Sequence, residues 1–389
     1  MQNQQFHMGF WNYVPTGTLD ERAVGDWADL GMNLAMSFSY NPDIHKPDMM
    51  LSVLDECRQK GIRVIVCDSR TSYSHYLAVG EEQFRQDLAD AIRDFGNHPA
   101  VMGFHVGDEP NGEQLHAVER ACILQKQLAP TLSPFVNFFP FWAASDFESI
   151  TGAGNDKYGE LLTNIVKNSG IEILSYDCYS QMAFHGREAG VGNYFYNLNL
   201  FRSVAQATGC TLWTSLLSVG HWNYSCPRED DFRWQISTSA AHGVTGILWF
   251  FIYERSLDSS YRVPPIDLFW ERTETFEWLS RENRIFMKYY AEKFAKLELV
   301  KVYHYLKQYG GTAPFIYGQD EIIDFVTSSH ETPLIVSRFV NRETGRPAVV
   351  VVNNSQTAPT RFEIRLKKPY DAVHHSDWLA PGQLHLIEL

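Results

Sequence analysis

Two adjacent carboxylates close the run Val101-Met102-Gly103-Phe104-His105-Val106-Gly107-Asp108-Glu109-Pro110. The run reads as a buried strand halted by a proline, which cannot continue a central ladder. Asp108 and Glu109 then stand at the strand's C-terminal mouth. Alternation along the strand puts Gly103, His105, Gly107 and Glu109 on one face, where two glycines beside an acid leave space for a ligand. The plainer alternative is a loop whose acids cap the helix beginning near Gly112, because acids favour a helix N-terminus. His105, on the same face as Glu109, either tunes its proton affinity or is a hydrogen-bonded core histidine. Other apolar runs end in the same polar way: at Trp11 and Asn12, at Ser39 and Tyr40, at Cys67-Asp68-Ser69-Arg70, at Asn137 and Trp142, and at Asp177 and Tyr179. Two more end at Trp213, Thr214, Ser215, Ser218, His221 and Trp222, and at Trp249, Tyr253 and Glu254. Carboxylates facing one another across a cleft framed by Trp and Tyr suit carbohydrate chemistry. One protonated acid gives its proton to the leaving oxygen, and a second carboxylate attacks the anomeric carbon or activates water. Aromatic faces cover the apolar faces of the sugar rings.

The elements that must position these residues alternate along the first three-quarters of the chain. Strands are predicted at Phe6–Val14, Asn33–Tyr40, Arg63–Arg70, Ala100–Glu109, Ser133–Pro140, Ile171–Ser180, Cys210–Val219 and Thr245–Tyr253. Between them lie helical stretches such as Leu19–Leu30, Asp48–Lys60, Glu81–Asn97, Gly112–Ala129 and Asp230–His242. Gly31, Gly61, Gly170 and Gly209 stand where helix C-caps precede the next strand. This alternation predicts a (β/α)8 TIM barrel, whose active site gathers at the C-terminal strand ends. A doubly wound sheet would want a glycine-rich turn after its first strand, and Trp11-Asn12-Tyr13 is not one. Helical character runs from Glu271 to about Leu299, and short alternating strands follow: Ile322–Thr327, Leu334–Asn341, Ala348–Asn353, Arg361–Leu366 and Leu384–Leu389. Asn341–Gly345 and Asn353–Ser355 read as hairpin turns. The chain therefore divides into a barrel over 1–300 and a small C-terminal antiparallel β-sandwich over 301–389.

A net charge of -13 argues against nucleic acid or an anionic membrane surface as partner. The six cysteines are scattered without paired spacing and read as buried free thiols. No run of 18 apolar residues exists to span a membrane. Met1 to Gln5 is polar and does not read as a signal peptide, although a removed one would leave such a start; a periplasmic or extracellular location follows only from the substrate class. His105, Asp108 and His221 lack the tight spacing of zinc sites, and no Gly-x-Ser-x-Gly elbow for a serine nucleophile occurs.

The segment Gly103-Phe-His-Val-Gly-Asp-Glu-Pro110 resembles the fourth-strand Asn-Glu-Pro signature of the large clan of glycoside hydrolases built on (β/α)8 barrels. Ile173-Leu-Ser-Tyr-Asp-Cys-Tyr179 resembles a sixth-strand Asp-x-Tyr pattern of several bacterial families of such barrels. Phe232–Gln235 through Ala241–Tyr253 resembles their last helix–strand unit. The resemblance implies that Glu109 is the acid/base and that Asp108 occupies the place of an Asn that contacts a sugar hydroxyl. One departure stands out: the clan's nucleophile is a Glu at the end of strand seven, where this chain has Thr214 and Ser215 and no acid. The resulting expectation is a glycoside hydrolase that needs no cofactor, with Glu109 as general acid and Asp177 as base or nucleophile, Asp68 and Glu254 being the next candidates. Trp11, Tyr40, Asp68, Arg70, Asp108, Asn137, Tyr179, Trp213, His221, Trp222, Trp249, Tyr253 and Glu254 are the expected substrate-binding residues. A carboxylate separation of about 6.5–9.5 Å would imply inversion and about 5–5.5 Å retention. The alternatives are a catalytically silent saccharide-binding barrel and a metal-assisted lyase or epimerase.

Overall fold

The computed structural model describes residues 5–181, 190–254, 260–371 and 374–389; of the polar leader Met1 to Gln5, only Gln5 falls among them. Eight parallel strands form one sheet: β1 (His7–Phe10), β2 (Leu34–Met36), β3 (Arg63–Val66), β4 (Val101–Asp108), β5 (Ser133–Phe138), β6 (Ile173–Asp177), β7 (Thr211–Leu217) and β8 (Gly246–Phe250). The spatial order β1-β8-β7-β6-β5-β4-β3-β2 carries the sheet around into a barrel. The seam between β1 and β2 is closed by Asn33. Its backbone N–H donates to Met8 O (3.0 Å), and its side chain accepts from Met8 N (2.8 Å) and donates to Phe6 O (2.8 Å).

Each strand is buried on both faces, as a parallel sheet under helices requires. One face fills the barrel with Leu34, Met36, Ile65, Phe135, Ile173, Trp213 and Leu248. The other packs against the helices, among them α1 (Ala23–Asp29), α2 (Pro47–Lys60), α3 (Tyr73–Val79), α4 (Glu81–Ala91), α5 (Leu115–Leu128), α6 (Phe147–Thr151), α7 (Tyr158–Ser169), α8 (Val191–Thr208) and α9 (Glu229–Ala241). Gly61 and Gly170 end their helices at φ 71° and 70°, a left-handed conformation that glycine adopts without a Cβ clash.

Helices α10 (Glu274–Tyr289) and α11 (Ala291–Lys296) lead into two antiparallel sheets. One is ordered β9 (Leu297–Tyr305), β11 (Leu334–Asn341), β12 (Pro347–Asn353), β15 (Leu384–Glu388); the other is β10 (Ile323–Ser328), β13 (Thr360–Leu366), β14 (His374–Leu379). Val349 and Val351 face the second sheet, whereas Val350 and Val352 face the barrel layer beside α9. That two-sided burial explains a four-valine run in an antiparallel strand. Trp234 of α9 donates to Asn354 Oδ1 (2.9 Å), tying the sandwich to the barrel.

Three sequence expectations change. Leu297–Leu299 opens strand β9 and does not end a helix. β14, with its polar sequence His-His-Ser-Asp-Trp-Leu, was not anticipated. Asn353–Ser355 leads from one sheet to the other and so is no hairpin, whereas the turn after Asn341 is one.

Candidate active site

Strand β4 departs from simple alternation. A bulge between His105 and Gly107 leaves Val106 as an extra residue opposite β5, so His105 pairs with Phe135 but Asp108 pairs with Asn137. The glycines make room for protein, which corrects the expectation that they open space for a ligand. A Cβ on Gly103 would lie 1.8 Å from Ser133 O, and one on Gly107 would lie 2.2 Å from the Tyr73 ring. His105 is buried in the barrel, edge-on to Trp11 and beside Phe135. Burial lowers its pKa to about 4, so it is a neutral core histidine. Glu109 follows the bulged strand at φ 42°, a strained conformation for a residue with a Cβ. Its N–H donates to Asn137 O (2.8 Å), which holds it there.

Asn137 organises the acids. Its amide nitrogen donates to Asp177 Oδ1 (2.8 Å) and Asp108 Oδ1 (3.1 Å), and its amide oxygen accepts from Ser175 Oγ (2.9 Å). The two carboxylates, which accept, fix which way the amide points. Glu109 is itself hydrogen-bonded to Asp177. Its carboxyl is raised far above the usual range, by burial first, then by the charges of Asp177 and Asp108. Asp177 is also raised, by burial and by Asp108, while Asn137 and the Tyr179 hydroxyl hold it back. The two carboxyls therefore titrate as a coupled pair, both raised by burial and by the neighbouring negative charge. Asp108 lies deep but open to the cavity, so the burial that raises its carboxyl acts in full only when a ligand covers it.

These groups line a cavity of about 570 Å³ at the C-terminal mouth of the barrel. Trp11 forms its floor, with the indole N–H donating to Ser215 Oγ (2.8 Å) and the ring stacked on Tyr13 at 13°. Tyr179 stacks on Phe250. His221 lies between Trp222 and Tyr261, at centroid distances of 4.3 and 5.0 Å. Trp222, 71% exposed and at φ 44°, stands on the rim. Ser215 is the β7 residue opposite Asp177, so the place where an acid was missed is occupied by the group that holds Trp11. No lysine or arginine is among the described residues lining the cavity. Among the described residues, no group of three or more His, Cys, Asp or Glu side chains is arranged to hold a metal ion.

Of the residues expected from sequence, Trp11, Asp108, Glu109, Asn137, Asp177, Tyr179, His221 and Trp222 come together here, with Trp142 beside them. The others do not. Trp213 fills the barrel interior against His7 and Phe135. Trp249 faces outward and donates to Asn283 Oδ1 (3.0 Å). Tyr253 is buried behind β8, its hydroxyl accepting from Trp27 Nε1 (2.6 Å). Arg70 holds Asp68 through Nε (3.0 Å) and Nη2 (2.7 Å) and also reaches Asp94 (2.8 Å), leaving Asp68 inside an ion-pair network. Tyr40 sits over that network, and Tyr40 and Asp68 line a separate depression of about 420 Å³. Glu254 does not line the cavity; its N–H donates to Ile266 O. Sequence reasoning missed Tyr13, Asn193, Tyr224, Phe250 and Tyr261. Of these, Tyr13 was within reach, standing two residues beyond Trp11.

No family model and no curated protein matches the chain. Solved structures resemble it in fold. Gan42B, a family 42 β-galactosidase from G. stearothermophilus solved as a catalytic mutant, superposes with a TM-score of 0.63 at 10% identity, over 100% of this chain and 98% of that one. The endo-β-1,4-mannanase from Thermotoga petrophila gives 0.51 at 10% identity, over 97% and 98%. The β-galactosidase from the psychrophilic Marinomonas ef1 gives 0.54 at 10% identity over 75% of this chain, which spans only 62% of that one. At these identities the likeness is one of fold: a (β/α)8 barrel with a C-terminal β-sandwich.

Proposed function

We propose that the chain is a glycoside hydrolase in which Glu109 is the general acid and Asp177 the second carboxylate. The observation that carries this reading is the grouping of Glu109 and Asp177, with Asp108 and Asn137, in one cavity at the C-terminal mouth of the barrel. A carboxylic acid that stays protonated near neutral pH, hydrogen-bonded to a charged carboxylate, is poised to protonate a leaving oxygen while the charge faces a developing cation. The cavity fits one or a few sugar rings, the exposed Trp222 offers a face for stacking, and Asn137 and Asp108 offer partners for hydroxyls. The similar structures named as galactosidases and a mannanase support the same class of reaction. The acid arrives from β4 and its partner from β6, so no strand-seven acid enters the scheme. A silent binding barrel gains nothing from a protonated, strained Glu109. The test is Glu109→Gln: turnover of a saccharide that the wild type cleaves disappears, while calorimetric binding of that saccharide persists. Unchanged turnover in that variant would refute the proposal.

A further inference from the structure

Among the described residues, the carboxylates of the cavity all stand along one wall. Asp108 and Glu109 come from β4 and Asp177 from β6, and Asn137 of β5 joins Asp108 to Asp177. The described lining residues from β1, β7, β8 and the loops after them are Trp11, Tyr13, His221, Trp222, Tyr224, Phe250 and Tyr261, none of them an acid. Glu109 and Asp177 stand on the same wall and act directly on each other, whereas a carboxylate that attacks the anomeric carbon faces the acid from across the sugar ring. No carboxylate among the described residues therefore stands where a nucleophile is needed.

We propose, building on the glycosidase reading above, that the nucleophile belongs to the substrate: an amide oxygen on the carbon beside the anomeric carbon, as in an N-acetylhexosaminide. The corner around Asp177 matches an acetamido group part for part. The Asp177 carboxylate accepts the amide N–H. The Tyr179 hydroxyl, beside Asp177, turns its single proton to the amide oxygen once the amide N–H takes its place on Asp177. Ser215, opposite Asp177 on the sheet, takes up the Trp11 indole N–H, so the small part of Trp11 that reaches the cavity is apolar and suits the methyl group. A cavity lined by carboxylates and free of described lysine or arginine suits a neutral sugar.

The step balances without any co-reactant other than water. The amide oxygen forms a bond to the anomeric carbon as the glycosidic C–O bond breaks, and Glu109 gives its proton to the departing oxygen. The amide N–H proton passes to Asp177, leaving a neutral cyclic intermediate. Water then attacks the anomeric carbon and yields a proton to Glu109, while Asp177 returns its proton to nitrogen as the ring reopens. Such attack requires the amide and the leaving group on opposite faces, which selects β-linked N-acetylglucosamine or N-acetylgalactosamine, cleaved with retention.

The test compares nitrophenyl N-acetyl-β-glucosaminide and N-acetyl-β-galactosaminide with the matching β-glucoside and β-galactoside, and with the N-trifluoroacetyl derivatives. The proposal predicts that kcat/KM on one N-acetyl sugar exceeds that on its parent sugar by at least about 100-fold, the scale of one catalytic group. It also predicts that trifluoroacetylation, which weakens the amide oxygen as a nucleophile, slows the reaction. Parent sugars cleaved as well as N-acetyl sugars, or indifference to fluorine, would overturn this inference and leave the glycosidase reading standing. Turnover of none of these glycosides, nor of natural oligosaccharides, would overturn both.

Discussion

Removing Asn137 tests how the acids are tuned. In Asn137→Ala, Asp177 loses a 2.8 Å hydrogen bond and Asp108 one of 3.1 Å, while Ser175 Oγ loses its acceptor. A hydrogen bond to a charged group contributes about 1.5–3 kcal/mol, and one pKa unit corresponds to about 1.4 kcal/mol. Asp177, which burial and Asp108 already push upward, therefore rises further by about 1–2 units, towards the lower figure where water fills the vacated volume. The reaction needs Asp177 ionised and Glu109 protonated, so the acidic limb of the pH–rate profile moves to higher pH by the same amount and the active window narrows. Because the two groups titrate as a pair, both apparent values are to be followed. Carbon NMR of the Asp177 carboxyl reads the shift without any substrate. Ser175→Ala, which removes one support of the Asn137 amide but keeps its bonds to the acids, gives a smaller shift in the same direction. An unmoved titration and an unmoved acidic limb, with thermal stability alone reduced, would show that Asn137 is only a structural strut.

Three further outcomes follow from the same structure. Trp222→Ala, on the open rim, raises KM about tenfold through loss of roughly 1–1.5 kcal/mol of stacking, with kcat and melting temperature nearly unchanged; an unchanged KM would remove Trp222 from the binding surface. Trp213→Ala empties part of the barrel interior and costs about 3–5 kcal/mol of stability by denaturant titration, and a cost below about 1 kcal/mol would contradict its place there. Acid destabilises the fold through its buried neutral histidines. Burial lowers His7 to about 4 and His304 to about 3, and His242 lies 3.4 Å from His304. Folded values below the unfolded one mean that their contribution is complete above about pH 6.5 and is lost as pH falls towards those values. Melting curves of His304→Gln should show a shallower decline over that range than the wild type, and parallel declines would exclude this source.

Much of the barrel was legible because its strands are buried on both faces and read as apolar runs closed by polar ends and followed by glycine-capped helices. Strand-end reasoning therefore found Asp108, Glu109, Asn137, Asp177 and Trp11. It misplaced Trp213, Trp249 and Tyr253 for the same reason: a run apolar on both faces does not say which residue points inward. The bulge at Val106 is a local shift with no marker in the residue types, and it moved Gly107 and Asp108 to faces that alternation assigns the other way. Asp68 and Arg70, two residues apart, read from the sequence as either an ion pair or substrate-binding groups, and the structure makes them an ion pair. Leu297–Leu299 continued the helical pattern of the segment before it, and only pairing with β11 makes it strand. Tyr224 and Tyr261 reach the cavity from loops, where no periodicity points to a destination.

The claim at the centre of the account is that Glu109 delivers the proton to the leaving group. It is tested most directly by the ratio of wild-type to Glu109→Gln rates across aglycones of graded acidity. General acid catalysis is worth about 100- to 10,000-fold where the leaving oxygen is strongly basic. A dinitrophenolate departs without help. The account predicts a loss of that size on alkyl or sugar aglycones that shrinks towards parity on dinitrophenyl glycosides. A loss of equal size on every aglycone, or none on any, would contradict it.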